Sequence, residues 1–190
     1  LITDIGAQSV RTDRPRWSPI EREIVFKYDL EMRESEREDM LEDLWIANAD
    51  GTNLRNLTKA STPVTEEQLD ILEPYWSWDG RWVLASGRRY DQQGNRIDCL
   101  RLIDPKTGEM KIIMDSNPRE DSIYEYYDDY RWSYDSKKIA VVIRRSDVRN
   151  WGSDATFQRH RWVLAIYDVE TGQREDILVF DEDQDRRRIL

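Results

Sequence analysis

Short apolar runs bounded by turn-forming residues recur along this chain, and the clearest set lies between Glu73 and Met114. Glu73-Pro74-Tyr75-Trp76-Ser77-Trp78-Asp79-Gly80-Arg81 leads into Trp82-Val83-Leu84-Ala85, and a second run follows at Cys99-Leu100-Arg101-Leu102-Ile103. The turn Asp104-Pro105-Lys106-Thr107-Gly108 then returns the chain into Met110-Lys111-Ile112-Ile113. Runs this short, separated by Asp, Gly and Pro, predict four strands joined by three turns.

The same order of residues occurs once before and once after. Pro15-Arg16-Trp17-Ser18-Pro19-Ile20-Glu21-Arg22 precedes Ile24-Val25-Phe26, and Tyr130-Arg131-Trp132-Ser133-Tyr134-Asp135-Ser136-Lys137 precedes the run Ile139 to Ile143. Trp17 and Trp76 are 59 residues apart and Trp76 and Trp132 are 56 apart, a period that marks a repeat protein. A Trp returning at one position fills the same interface in every unit, which places it on the packed side of the first strand. Ser and Asp hydrogen-bond turn amides, and Asp79-Gly80 tolerates positive φ. Repeats one and three lack that Gly, so their turns are free to differ.

The second halves match as well. Leu44-Trp45-Ile46-Ala47, Leu100 to Ile103 and Leu164-Ala165-Ile166-Tyr167 are strand-like and are followed by turns ending at Gly51, Gly108 and Gly172. The expected units are 14–59, 60–114 and 115–178. Residues 1–13 are expected to close an earlier unit and link it to the first, since Leu1-Ile2-Thr3-Asp4 matches Asn56-Leu57-Thr58-Lys59. Residues 179–190 are expected to be a charged linker or tail.

Four antiparallel strands repeating at this period describe the blade of a β-propeller. The expected fold is all-β, with three four-stranded blades visible. Pro-x-Trp-Ser-x-Asp-Gly-Arg, its apolar strand, and Ile46-Ala47-Asn48-Ala49-Asp50-Gly51 through Asn56-Leu57-Thr58 resemble the repeats of the TolB-like propellers, from Pro15 to Leu178. That resemblance implies a periplasmic or other extracytoplasmic place. It also implies one of three roles: a protein-interaction scaffold acting through its long-loop face, the substrate-gating propeller of a larger prolyl oligopeptidase-type peptidase, or a small-ligand or sugar sensor domain.

Charge narrows the partners. Lys and Arg number 29 against 39 Asp and Glu, a net charge of -10, which disfavours phosphate backbones and anionic membrane surfaces. No apolar run is long enough to predict membrane insertion. Cys99 is the only cysteine, so neither an intrachain disulfide nor a cysteine metal site can form.

Loop lengths point to a binding face. The turns after strands one and three are short in each repeat, whereas Lys27 to Asp43, Gly87 to Asp98, Arg144 to Arg161 and the links between repeats are long. Loops held by a rigid scaffold carry function, so the long-loop face is the expected protein-binding face. Candidate contacts are Tyr90 in the second hairpin and Tyr124, Tyr126 and Tyr127 in the acidic link Asp115 to Asp129. Arg144, Arg145, Arg149, Trp151, Phe157 and Arg159 in the basic third hairpin complete the set. The Tyr cluster with Tyr130 serves either partner contact or packing. A helical turn is expected within the insertion Lys27 to Asp43, where Glu34 and Arg37 are three apart and Met40, Leu41 and Leu44 would form a small apolar face, and a capped helix is expected over 66–72 behind Thr65.

Catalytic chemistry is not expected. His160 is the sole histidine, it sits between two arginines, and no Gly-x-Ser-x-Gly elbow supplies a nucleophile. Asp181-x-Asp183-x-Asp185 begins like a calcium loop, but Arg186 stands where Gly is needed. No metal and no cofactor are expected, and the partners expected are a protein or the remaining blades of the same or another chain.

Overall fold

The computed structural model describes residues 10–30, 41–58, 73–90, 96–116, 123–147 and 159–181. These form β1 (Val10–Trp17), β2 (Glu23–Leu30), β3 (Leu41–Asn48), β4 (Arg55–Asn56), β5 (Tyr75–Trp76) and β6 (Val83–Tyr90). They continue with β7 (Arg96–Ile103), β8 (Met110–Asp115), β9 (Ile123–Trp132), β10 (Lys138–Asp147), β11 (Arg159–Asp168) and β12 (Arg174–Asp181), with no helix among the described residues. Each successive group of four strands is one antiparallel sheet in simple sequence order. The chain is therefore a partial β-propeller of three four-stranded blades.

Packing between blades explains the apolar runs. In β7, Ile97, Cys99, Arg101 and Ile103 face one way and Leu100 and Leu102 the other, and all six are at most 2% exposed. A sheet covered on both sides needs apolar residues on both sides, so its strands read as continuous runs. One core joins the first two blades through Val25, Leu44, Leu57, Val83, Ala85 and Ile103. A larger one joins the second and third through Leu84, Leu100, Leu102, Met114 and residues of β9, β10 and β11.

The repeated Trp hooks each blade to the one before it. The Trp76 indole donates to the Arg16 carbonyl at 3.1 Å, and the Trp132 indole donates to the Tyr75 carbonyl at 3.1 Å. Arg16 and Tyr75 each precede the Trp of their own blade, so the bond recurs in register. Trp17 departs from the expected packed position and is 64% exposed, because no described blade lies before it.

The turn after the first strand is shared more closely than its sequence suggests. Ser18, Ser77 and Ser133 each donate their backbone N–H to a carbonyl five residues on, at 2.9 Å in every case. Ser77 and Ser133 also donate their hydroxyls to Asp79 and Asp135, at 2.7 and 2.6 Å. Ser136 adopts φ +58 where Gly80 has +68, so the third turn keeps the geometry without the glycine. In the first blade Ser18 Oγ instead accepts from the amides of Ile20 and Glu21.

Several expected loops are partly ladder. Leu30 pairs with Leu41, Tyr90 with Arg96 and Asp147 with Arg159, so the long hairpins continue as paired strands. The apolar helical face through Leu41 and Leu44 is overturned, since both lie on β3 and Leu44 is fully buried in the first core, while Glu34 and Arg37 of that expected turn lie outside the described residues. Burial of Leu44 against the second blade outweighs any local helical spacing. Met40 and the helix expected over 66–72 lie outside the described residues. β1 begins at Val10 and β12 continues to Asp181, a few residues beyond the expected limits of the repeats.

Candidate functional site

All the short turns lie within the described residues, and they gather at one end of the blades. At this rim Ile20 of the first blade lies against Gly80 of the second. A Cβ on Gly80 would come within 2.4 Å of the Ile20 side chain, so any larger residue there would have to displace it. The residue after each Trp-Ser is Pro19, Trp78 and Tyr134 in turn. Trp78 and Tyr134 stack with centroids 5.1 Å apart and planes 27° apart, yet they are 51% and 87% exposed. The amide of Asp79 donates to Ser136 Oγ at 3.0 Å and ties the two turns together beneath the stack.

A cleft of about 490 Å³ is walled by the first-blade residues Glu21, Arg22, Asn48 and Asp50 and by Lys106 of the second blade. Asp50 accepts from the hydroxyl and amide of Thr52, which hold its carboxyl below the usual range. Arg55 crosses the seam, donating to Glu23 and to the Pro105 carbonyl at 3.1 and 3.0 Å. The cleft thus has walls of both charges, held by turn hydrogen bonds.

The first strands of the three blades run side by side and carry a charged and aromatic array. Arg16, Tyr75 and Arg131 occupy the position before each Trp, and both guanidinium groups lie over the Tyr75 ring, at 5.2 and 4.3 Å from its centroid. Glu73 accepts from the Tyr75 hydroxyl and pairs with Arg14. The Tyr75 hydrogen bond leads in holding the Glu73 carboxyl low, burial opposes it, and Arg14, Arg16 and Arg131 add to it. Arg14 reaches Glu73 from a bulge in β1, where its φ is +55. Such left-handed backbone costs a non-glycine residue on the order of 1 kcal/mol, and bulges re-aim side chains in this way.

The residues expected to bind on the long-loop face separate into different environments. Tyr127 is 8% exposed in the larger core, where burial pushes its hydroxyl well above the usual range. Arg145 is taken up within its own blade, donating to Glu125 at 2.7 Å and Asp176 at 2.6 Å, while Arg174 binds the same two carboxylates. Burial raises the Glu125 carboxyl, but hydrogen bonds and charge from Arg174 and Arg145 outweigh it and hold the group below its usual range. Tyr126 and Arg144 meet as a cation–π pair at 5.0 Å, with Asp128 3.8 Å from the guanidinium. Tyr90 and Tyr124 lie on β6 and β9 and Arg159 opens β11. The side chains of Tyr90, Tyr124 and Arg159 lie outside the described residues, as do Arg149, Trp151 and Phe157.

The shelf and the first-strand array did not figure among the expected contacts. Their signal was present in the sequence: an aromatic at the third position of Trp-Ser-x-Asp in the second and third repeats, and Arg, Tyr and Arg at the position before each Trp. Among the described residues no group of His, Cys, Asp and Glu is placed to hold a metal ion, and no helix is long and apolar enough to cross a membrane. His160 lies on β11. Asn56 and Thr58 clasp the buried Asp43 carboxylate at 2.7 Å each, closing the last strand of the first blade onto β3.

No protein-family model and no curated protein sequence matches the chain. Solved structures do. The acylaminoacyl peptidase of Pyrococcus horikoshii is similar at a TM-score of 0.57 and 14% identity, over 93% of this chain and 25% of that one. The β-propeller domain of the Trilobed protease from Pyrococcus furiosus, described as having an open velcro topology, matches at 0.51 and 14%, over 91% of this chain and 43% of that one. An oligogalacturonate lyase from Vibrio parahaemolyticus matches at 0.51 and 14%, over 87% and 36%. The shared feature is the propeller fold, and the chain spans less than half of each of these proteins.

Proposed function

We propose that this chain is a non-catalytic propeller segment of TolB-like kind that works by docking polypeptide. The observation that carries this reading is the Trp78–Tyr134 stack, two large aromatics held in place by turn hydrogen bonds and left open to solvent. Rigid exposed aromatics lose little conformational freedom on binding, and they dominate the energetics of protein interfaces. Ile20 and the neighbouring cleft extend the surface with apolar and charged contacts. Tyr126 and Arg144, with Arg149, Trp151, Phe157 and Arg159 of the third hairpin, form the second contact surface of this reading.

The test is a peptide-library screen on the immobilised chain, followed by affinity measurement on the peptides retained. Trp78→Ala combined with Tyr134→Ala is expected to weaken binding at least about tenfold, the effect of losing a hot spot. Retained peptides indifferent to both changes, or no peptide retained, would overturn the reading.

A second reading is favoured by the likeness to two peptidases whose chains are far longer than this one. In it the same propeller admits peptide substrates to a hydrolase. Finding a hydrolase domain in the flanking reading frame, or a hydrolase bound to the purified chain, selects it over free-standing docking.

A further inference from the structure

Arg14, Arg16 and Arg131 of the first-strand array are not equivalent, because the carboxylates around them are unevenly shared. Glu73 is engaged on both oxygens: Oε1 pairs with Arg14, and Oε2 accepts the Tyr75 hydroxyl at 2.5 Å. Asp13 also faces Arg14, at 3.7 Å. Arg131 is held by Asp129 and by the Tyr130 carbonyl. Arg16 donates to the Pro15 carbonyl at 3.2 Å, and no carboxylate among the described residues pairs with it.

The backbone is strained to produce this sharing. Arg14 takes φ +55 in β1, where the register with β2 slips between Asp13 and Arg16. Such conformations are uncommon outside glycine and collect at functional sites. Here the strain brings Arg14 to Glu73, so a carboxylate within electrostatic reach of Arg16 is already occupied. Arg16 is half-buried and is steadied by the Tyr75 ring, whose face attracts a cation. A guanidinium has five N–H donors, and most of those on Arg16 are left to bond something else. Arg131, 4.3 Å from the same ring centre, adds a second positive charge from the third blade.

We propose that the first-strand array is a carboxylate-binding site, in which Arg16 takes the carboxylate and Arg131 helps to draw it in. The site is separate from the aromatic shelf and stands whether or not the shelf docks polypeptide. Guanidinium and carboxylate match in plane and spacing, with parallel N–H donors meeting both oxygens. Charge limits the ligand. Glu73, Asp129 and Asp13 surround the arginines and the chain carries a net charge of -10, so a singly charged group is accepted while phosphate and polyanions are repelled. The carboxylate is carried either by an acidic side chain of a peptide or by a small organic acid.

Titration of the chain at neutral pH and low salt tests this, followed through the arginine Nε–H signals by NMR and by calorimetry. The probes are a blocked glutamyl tripeptide, its glutaminyl counterpart, acetate and inorganic phosphate. The glutamyl peptide and acetate are expected to shift the Arg16 signal, and the glutaminyl peptide to bind at least about tenfold more weakly. Tighter binding of the peptide than of acetate assigns the source to polypeptide, and equal binding assigns it to a free acid. Arg16→Gln is expected to weaken carboxylate binding at least about tenfold, and Arg16→Lys to weaken it less, since it keeps the charge and loses the fork. Lys111→Gln, which removes a charge from the outer strand β8, is expected to change nothing. An Arg16 signal in the folded chain that neither carboxylate shifts would overturn the proposal. So would a glutaminyl peptide bound as tightly as the glutamyl one, phosphate bound more tightly than either carboxylate, or unaltered binding by an Arg16→Gln chain that circular dichroism shows to be folded.

Discussion

Leu100 and Leu164 occupy the same place in two successive blades and meet different fates. Leu100 pairs with Ser86 and Met114 and is fully buried against the third blade, whereas Leu164 pairs with Val142 and Leu178 and is only half-buried. Side chain, strand and register are alike, so the difference lies in the neighbour. A blade is a thin sheet whose two faces are completed by the blades beside it, and burial is a property of the junction rather than of the strand.

The strongest way to break this comparison is truncation. Leu100→Ala is expected to cost about 2–5 kcal/mol in urea unfolding at every protein concentration, since it opens a cavity in a closed junction. Leu164→Ala is expected to cost well under that, about 1 kcal/mol, because Leu164 is only half-buried. Equal losses would show that the two positions are packed alike and would end the comparison.

The hooks give a smaller contrast. Trp132→Phe removes the indole donor to the Tyr75 carbonyl and is expected to cost about 1 kcal/mol beyond the effect of reduced volume. Trp17→Phe in dilute chain is expected to cost almost nothing, because its indole is largely in solvent. Thermal unfolding of the two variants side by side measures the difference.

The smallest expected effect comes from the ionic cluster that ties β9, β10 and β12 within the third blade. Glu125 and Asp176 both have carboxyls held below their usual range in the folded chain, with burial opposing the shift and Arg145 and Arg174 overriding it. Their contribution is therefore complete above the unfolded values of about 4.3 and 3.9, and is lost as pH falls through the lower folded values. The unfolding temperature is expected to hold between neutral pH and about 5 and to fall below about 4. Glu125→Gln is expected to flatten that fall, and a slope unchanged by the substitution would remove the cluster from the account.

Much of the fold was legible in the sequence, because turn chemistry is local. The Ser-x-Asp turn, the glycines at positive φ in the second set of turns and the apolar runs between them are each decided within a few residues. Leu41 and Leu44 misled because helical spacing over a few residues is weaker than burial of Leu44 against another blade. Arg145 read as an available cation because its carboxylate partners lie 20 and 31 residues away in sequence. The Trp78–Tyr134 shelf was hidden for the same reason, its two rings being brought together only when the second and third blades pack.

The sequence by itself determined the unit, its number and its strand order, since period, turns and apolar runs are properties of contiguous residues. Only the tertiary structure decided which equivalent residues are buried, which arginines are engaged and where aromatics stand open. Those depend on what lies across a junction, which no run of contiguous residues contains.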